Sequence, residues 1–227
     1  MTKKYGEGGG LFPPPFFMPI YHKFSEITGV VLGGGQSRRM GRDKRQIHWE
    51  GEPFLDRVCR LMSSLFDEVL VVTAQEDYEC SHLPVRLVTD KIPKKGSLGG
   101  LYTGLMEAKN KFSFVVGCDM PFLNTECIAR MCGRSASDVL VVKLSTGIQP
   151  LHARYSKDCV TVIEQKIHAG DLKIQNLVAH PDLATEILDE SFFREIDPYG
   201  RTFMNINTPA DLEFARKISL NSTPPNE

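Results

Sequence analysis

No apolar run in this sequence approaches the roughly 18 residues that a bilayer span requires. Nor does charge of either sign dominate: 27 Lys and Arg stand against 28 Asp and Glu, a net charge of −1. There is no electrostatic footprint for DNA, RNA or an anionic membrane, so neither a nucleic acid nor a membrane is expected as partner, and any positive charge that matters is local. Cysteine is sparse. The six residues (Cys59, Cys80, Cys118, Cys127, Cys132 and Cys159) form no C-x-x-C pair and have no His cluster beside them, which argues against a zinc site. Most lie in apolar or helical patterns, where a small buried hydrophobe is expected, and they point to a reducing, cytoplasmic compartment. The six histidines show no H-E-x-x-H or other ligand spacing. The single tryptophan, Trp49, is expected to pack beside a short hairpin around Glu50-Gly51-Glu52. An unbroken apolar stretch with a small-residue cleavage site is missing from the N-terminus, so a signal peptide is not expected. Instead Gly6 to Gly10 is glycine-rich, and Pro13, Pro14, Pro15 and Pro19 interrupt Phe12, Phe16 and Phe17.

What is present suits one globular domain: 227 residues, 41% hydrophobic and 24% charged, enough to bury a core without disulfides or structural metals. Residues 1–24 read as a flexible extension, 25–218 as the domain, and 219–227 as a disordered tail. From Ile27 strand and helix patterns alternate. Ile27 to Leu32, Glu68 to Thr73, Arg86 to Asp90, Phe112 to Gly117 and Asp138 to Val142 are short apolar, β-branched runs that predict buried strands. Phe54, Val58, Leu61, Met62 and Leu65 fall at helical spacing, as do Val160, Ile163 and Ile167. A glycine-rich loop, Gly96 to Gly100, leads into a helix carrying Leu101, Leu105 and Ala108. Pro209 to Lys217 predicts the last helix, with Thr208 as N-cap. Repeated β-α units imply a Rossmann-like α/β three-layer sandwich with a mostly parallel central sheet. In such sheets ligands bind beyond the carboxyl ends of the strands, so the residues just after strands are the candidates.

The first such loop is Leu32-Gly33-Gly34-Gly35-Gln36-Ser37-Arg38-Arg39-Met40-Gly41-Arg42-Asp43-Lys44. Three glycines let the backbone approach a ligand and offer its N–H groups. Arg38, Arg39, Arg42 and Lys44, opposed only by Asp43, suit a polyphosphate. The loop is not a Walker A sequence, and Arg38 stands where a dinucleotide fingerprint needs its third glycine. Further along, Asp119 follows an apolar strand by two residues, where a carboxylate can hold Mg²⁺ or cap a helix. Asp90 ends another strand, before Pro93, where a turn former is also expected.

The loop resembles the signature of the MobA-type molybdenum cofactor guanylyltransferases, L-(A/G)-G-G-x-S-x-R-M-G-x-D-K, with Gly33 where that family usually has alanine. Gly96-Ser97-Leu98-Gly99-Gly100-Leu101 is similar to its G-P-L-G-G-L, with serine replacing proline. Asp119-Met120-Pro121-Phe122 matches its D-M-P-F, and Asn205 to Leu212 matches its N-x-N-T-P-x-D-L. The likeness runs from about Ile27 to Lys217.

The resemblance implies a nucleotidyltransferase fold and a Mg²⁺-dependent transfer of GMP from GTP to the terminal phosphate of molybdopterin or Mo-molybdopterin. Molybdoenzyme maturation proteins are the implied further partners. Implied catalytic residues are Arg39, Lys44, Asp119 and Asn207; implied nucleotide-binding residues are Leu32, Gly33, Gly34, Lys44, Thr73, Asp90 and Asp119, with Asp119 also the metal ligand. Lys44 and Arg39 would stabilise charge on the β- and γ-phosphates. Leu32 and the glycines would hold the base and ribose side, and Thr73 stands where the family often carries asparagine. The asparagine pair Asn205 and Asn207 falls near the reacting phosphates or the pterin, while Asn207 or Thr208 can also cap the last helix, and Gln149 and Pro150 fall near the family's pterin-side residues. The alternatives are a cytidylyltransferase of the same fold and a nucleotide-binding regulator without catalysis. Retention of Lys44, Asp119 and Asn207 together argues against the regulator.

Overall fold

A computed structural model describes residues 23–33, 47–74 and 82–220, Leu220 by its backbone alone. Residues 1–22, 34–46 with their glycines and cations, 75–81 with Cys80, and 221–227 lie outside the described residues, so the expected flexible extension and disordered tail fall largely there. The strands are β1 (Ile27–Leu32), β2 (His48–Trp49), β3 (Glu52–Pro53), β4 (Val69–Thr73), β5 (Arg86–Thr89), β6 (Phe112–Gly117), β7 (Val139–Leu144), β8 (Gly147–Ser156) and β9 (Thr185–Asp189). The helices are α1 (Phe54–Leu65), α2 (Gly96–Glu107), α3 (Thr125–Cys132), α4 (Cys159–His168) and α5 (Pro209–Leu220).

Seven strands form one sheet in the order β5-β4-β1-β6-β8-β7-β9. β1 lies parallel to both β4 and β6, β4 to β5, and β7 to β9; β8 alone runs against its neighbours β6 and β7. The mostly parallel α/β architecture is therefore present. Its centre is β1, whose six residues are all buried, as a continuous apolar run sandwiched by helices should be.

One apolar layer joins α1 and α3 to the sheet through Leu55, Val58, Met62, Phe114, Ile128 and Met131. The other joins α2 and α4 through Leu98, Leu101, Leu105, Tyr155, Ile163 and Ile167. Leu98, Leu101 and Leu105 are fully buried, an area that outweighs the roughly 1 kcal/mol of helix propensity each interior glycine of α2 forgoes. Gly104 also needs its missing side chain: a Cβ there would stand 2.7 Å from Val30 Cγ1, so the helix rides close on β1. Helix α2 thus begins at Gly96, within the stretch the sequence suggests as a loop.

A third cluster gathers Ile47, Trp49, Phe54, Ile206 and Ala215, with Phe122 against it. Trp49 lies within the β2–β3 hairpin and meets Phe122 edge-on at 5.3 Å. Phe24 joins the fold as well, its ring 5.8 Å from that of Phe66.

Strands β8 and β9 have no counterpart in the sequence reading. Pro150 sits inside β8, where the pairing with β7 slips between Leu140 and Val142. Proline in a strand belongs at such irregularities, because it has no N–H for the ladder. β9 is a short edge strand with Ile187 exposed, so it lacks the apolar signature of the inner strands.

Candidate active site

The chain passes from β1 outward to β4 and β5, then returns to place β6 on the other side of β1. In open sheets of this kind ligands bind where the order reverses, which here is at the carboxyl ends of β1 and β6. Those ends are Leu32 with Gly33 and Gly117 with Asp119. Cys118 N–H donates to the Leu32 carbonyl at 3.2 Å, fastening one rim to the other.

Next along the same edge, Gly33 N–H donates to the Val72 carbonyl at 2.9 Å, and Asp90 N–H to the Thr73 carbonyl at 2.8 Å. Leu32, Gly33, Thr73, Asp90 and Asp119 therefore share one edge, brought there by the parallel register of β1, β4, β5 and β6. A Cβ at Gly33 would meet Thr73 Cγ2 at 3.4 Å, an ordinary contact, so glycine and alanine both fit there. The Leu32 side chain is buried and packs under α2, where a Cβ on Gly100 would lie 3.4 Å from it. Among the implied residues, Gly34, Arg39 and Lys44 lie outside the described residues.

Asp119 is half-buried, and α3 takes its cap from elsewhere: Asn124 Oδ1 accepts the N–H groups of Glu126 and Cys127 at 2.9 and 3.3 Å. The helix-capping account of Asp119 therefore does not hold for α3. Its carboxylate folds back so far that a Cβ on Gly117 would come within 2.6 Å of Oδ1. Asn205 Nδ2 donates to that oxygen at 3.0 Å, and Ile206 N–H donates to the Asp119 carbonyl at 2.9 Å. The motif places the asparagine pair near the phosphates or the pterin, but the contact of its first member, Asn205, with the Asp119 carboxylate is not legible in it.

Asn207 is exposed, and its N–H donates to Asp211 Oδ2 at 2.9 Å. Thr208 N–H donates to the same carboxylate at 2.8 Å while Asp211 N–H donates back to Thr208 Oγ1 at 3.2 Å. This reciprocal pair caps α5 as Thr208 predicts. Asp90 Oδ1 accepts from Ile92 N–H at 3.0 Å and from Thr103 Oγ1 of α2 at 2.9 Å, so it does form the expected turn just past the end of β5. Gln149 is buried in β8, its Nε2 donating to Asn205 Oδ1 at 2.7 Å.

The cysteines are free and buried among the described residues. Burial pushes the thiols of Cys127, Cys132 and Cys159 up to about 12, so they stay protonated and supply no nucleophile. No group of three His, Cys, Asp or Glu suited to a metal occurs among the described residues. A single carboxylate flanked by amides does fit Mg²⁺, which uses one or two carboxylates and completes its shell with substrate phosphates and water.

Residues 29–185 match the family model of the MobA-like NTP transferase domain. The chain is 34% identical over 197 residues to a probable molybdenum cofactor guanylyltransferase of Natranaerobius thermophilus, across 84% of this chain and 95% of that protein. It is likewise 34% identical over 192 residues to a molybdenum cofactor guanylyltransferase of Desulfosudis oleivorans, across 83% and 94%. The crystal structure of molybdopterin-guanine dinucleotide biosynthesis protein A from Archaeoglobus fulgidus aligns with a TM-score of 0.74 at 25% identity, over 86% of this chain and all of that one.

Proposed function

The chain belongs to the MobA-like NTP transferase family, and from that premise we propose that it transfers GMP from GTP to the terminal phosphate of molybdopterin or Mo-molybdopterin. The observation that carries this reading is the switch-point edge. It joins the start of the signature loop at Leu32 and Gly33 to Asp119, whose carboxylate is held by Asn205.

An oxygen of the pterin's terminal phosphate attacks the α-phosphorus of GTP. The bond from that phosphorus to the bridging oxygen breaks, and its electron pair leaves with pyrophosphate. The nucleophile is already anionic, so the site has no general base to supply. Its work is positioning and charge neutralisation. Asp119 would hold Mg²⁺, which when bound neutralises phosphate charge. Lys44 and Arg39 would serve the β- and γ-phosphates, and the main chain of Leu32, Gly33 and Gly34 would hold the base and ribose side. Asp90 and Thr73, at the far end of the same edge, would assist nucleotide binding, and Asn207 would stand close to the reacting phosphates or the pterin.

A cytoplasmic location and hand-over of product to molybdoenzyme maturation proteins belong to the same proposal. Among the described residues no helix is long and apolar enough to cross a membrane.

The test is incubation with labelled GTP, CTP or ATP, each with Mg²⁺ and molybdopterin, followed by product identification. A pterin–GMP adduct with pyrophosphate is expected. Transfer from CTP alone would make the protein a cytidylyltransferase, and GTP binding without any transfer would make it a regulator.

A further inference from the structure

We propose that Gln149 is the positioning residue for Asp119, acting through Asn205. The inference rests on Asp119 being the metal-binding carboxylate, as proposed above.

β8 runs antiparallel to β6, with Val116 opposite His152 in the last pair of their ladder. Continuing that register three residues past the ladder brings Gln149 level with Asp119. The slip against β7 begins at this point, and Gln149 is followed by Pro150, so the strand departs from regular pairing where it reaches the site.

The hydrogen bonds then have only one possible direction. Gln149 Nε2 donates to the Phe203 carbonyl at 2.8 Å, and Oε1 accepts from Leu151 N–H at 3.3 Å. A backbone carbonyl cannot donate and a backbone N–H cannot accept, so the two ends of the Gln149 amide are fixed by the main chain. The same Nε2 donates to Asn205 Oδ1 at 2.7 Å, which turns the Asn205 amide so that Nδ2 faces Asp119 Oδ1 at 3.0 Å.

The anchor itself is rigid. Phe203 packs edge-on against His152 at 4.9 Å and against Phe193 at 5.3 Å, and Thr202 Oγ1 accepts from Asn124 N–H at 3.0 Å. The main chain of β8 and of the 202–206 segment thus sets the orientation of a carboxylate more than 80 residues away in sequence from Asn205.

The polarity of this chain makes a sharp test. Gln149→Glu keeps the size and shape of the side chain but replaces the donor with an acceptor. It faces the Phe203 carbonyl without a proton to give, and it draws Asn205 round to present Oδ1 to Asp119. Asn205→Ala removes the last link without adding charge, and it decides the matter if the glutamate variant fails to fold.

GTP affinity is measured by calorimetry with Mg²⁺ and again in EDTA. The gain in affinity due to Mg²⁺ is expected to fall by roughly tenfold to a hundredfold in both variants, the scale on which groups orienting metal ligands act. Affinity in EDTA should stay within about twofold of the parent protein, a separation that a general loss of packing would not produce. Asp119→Asn distinguishes the two ways of failing. If it keeps the Mg²⁺-dependent gain, the metal assignment is wrong and the positioning role falls with it. If it loses that gain while Gln149→Glu and Asn205→Ala retain it, only the positioning role is overturned.

Discussion

Gly117→Ala isolates the placement of the Asp119 carboxylate from the stability of the fold. Gly117 is buried at the end of β6, and its φ is not in the left-handed region, so the backbone accepts an alanine. The new Cβ would stand 2.6 Å from Asp119 Oδ1 and 3.6 Å from Leu151 Cδ1. The second distance is an ordinary contact. The first is not: a relaxed carbon–oxygen contact is about 3.3–3.6 Å, so the oxygen must move by roughly 0.7–1 Å. The atom that yields is the tip of a side chain, not main chain, so the fold itself should lose no more than about 1 kcal/mol. Function should lose far more, since a displacement of about 1 Å in a positioned group can reduce rate by roughly a hundredfold. It also disturbs the 3.0 Å bond from Asn205. Steady-state kinetics of GMP transfer, with a thermal melt of the same preparation, give both numbers. Wild-type turnover in the alanine variant would refute the reasoning, and so would a loss of activity fully accounted for by unfolding.

Further outcomes follow from the same site and core. Asp119→Ala should lower turnover by at least about a hundredfold while the protein stays folded, and near-normal turnover in saturating Mg²⁺ would remove it from the metal role. GTP with Mg²⁺ should raise the melting temperature more than CTP or ATP does, since a ligand that binds only the native state stabilises it; a larger shift with CTP would redirect the base assignment. Lys44→Ala should reduce kcat/KM far more than Arg42→Ala, mainly through kcat, and Lys44→Gln should not restore it; equal effects would show only a diffuse positive patch. His152, fully buried between Phe114 and Phe203, has its pKa lowered by burial to about 4, below the unfolded value near 6.5. The unfolded chain takes up a proton in that window that the native state refuses, so stability should fall by roughly 2 kcal/mol from pH 7 to pH 5. His152→Phe should flatten that part of the denaturation profile, and an unchanged slope would place the effect elsewhere.

The sequence by itself determined the inner architecture. β1, β4 and β6 are buried on both faces, so their apolar runs are continuous and their positions legible. Helix α1 is legible because one face alone is buried, which leaves a 3.6-residue period in Phe54, Val58, Met62 and Leu65. The carboxyl edge of the sheet follows from strands that end just before Gly33 and Asp119, and the cap at Thr208 from side-chain chemistry that acts over three residues. What only the tertiary structure decided depends on contacts between distant segments. β8 carries Pro150 and a slipped register, and β9 is an exposed edge, so neither bears a periodic signal. Asp119 could have capped a helix as far as sequence goes; the structure gives that task to Asn124 and sets Asn205 against the carboxylate. Gln149 gains its meaning only when β8 folds back beside β6 and carries the amide to the segment that returns from α4 and β9, because a hydrogen-bond chain of fixed polarity needs all its members in place at once.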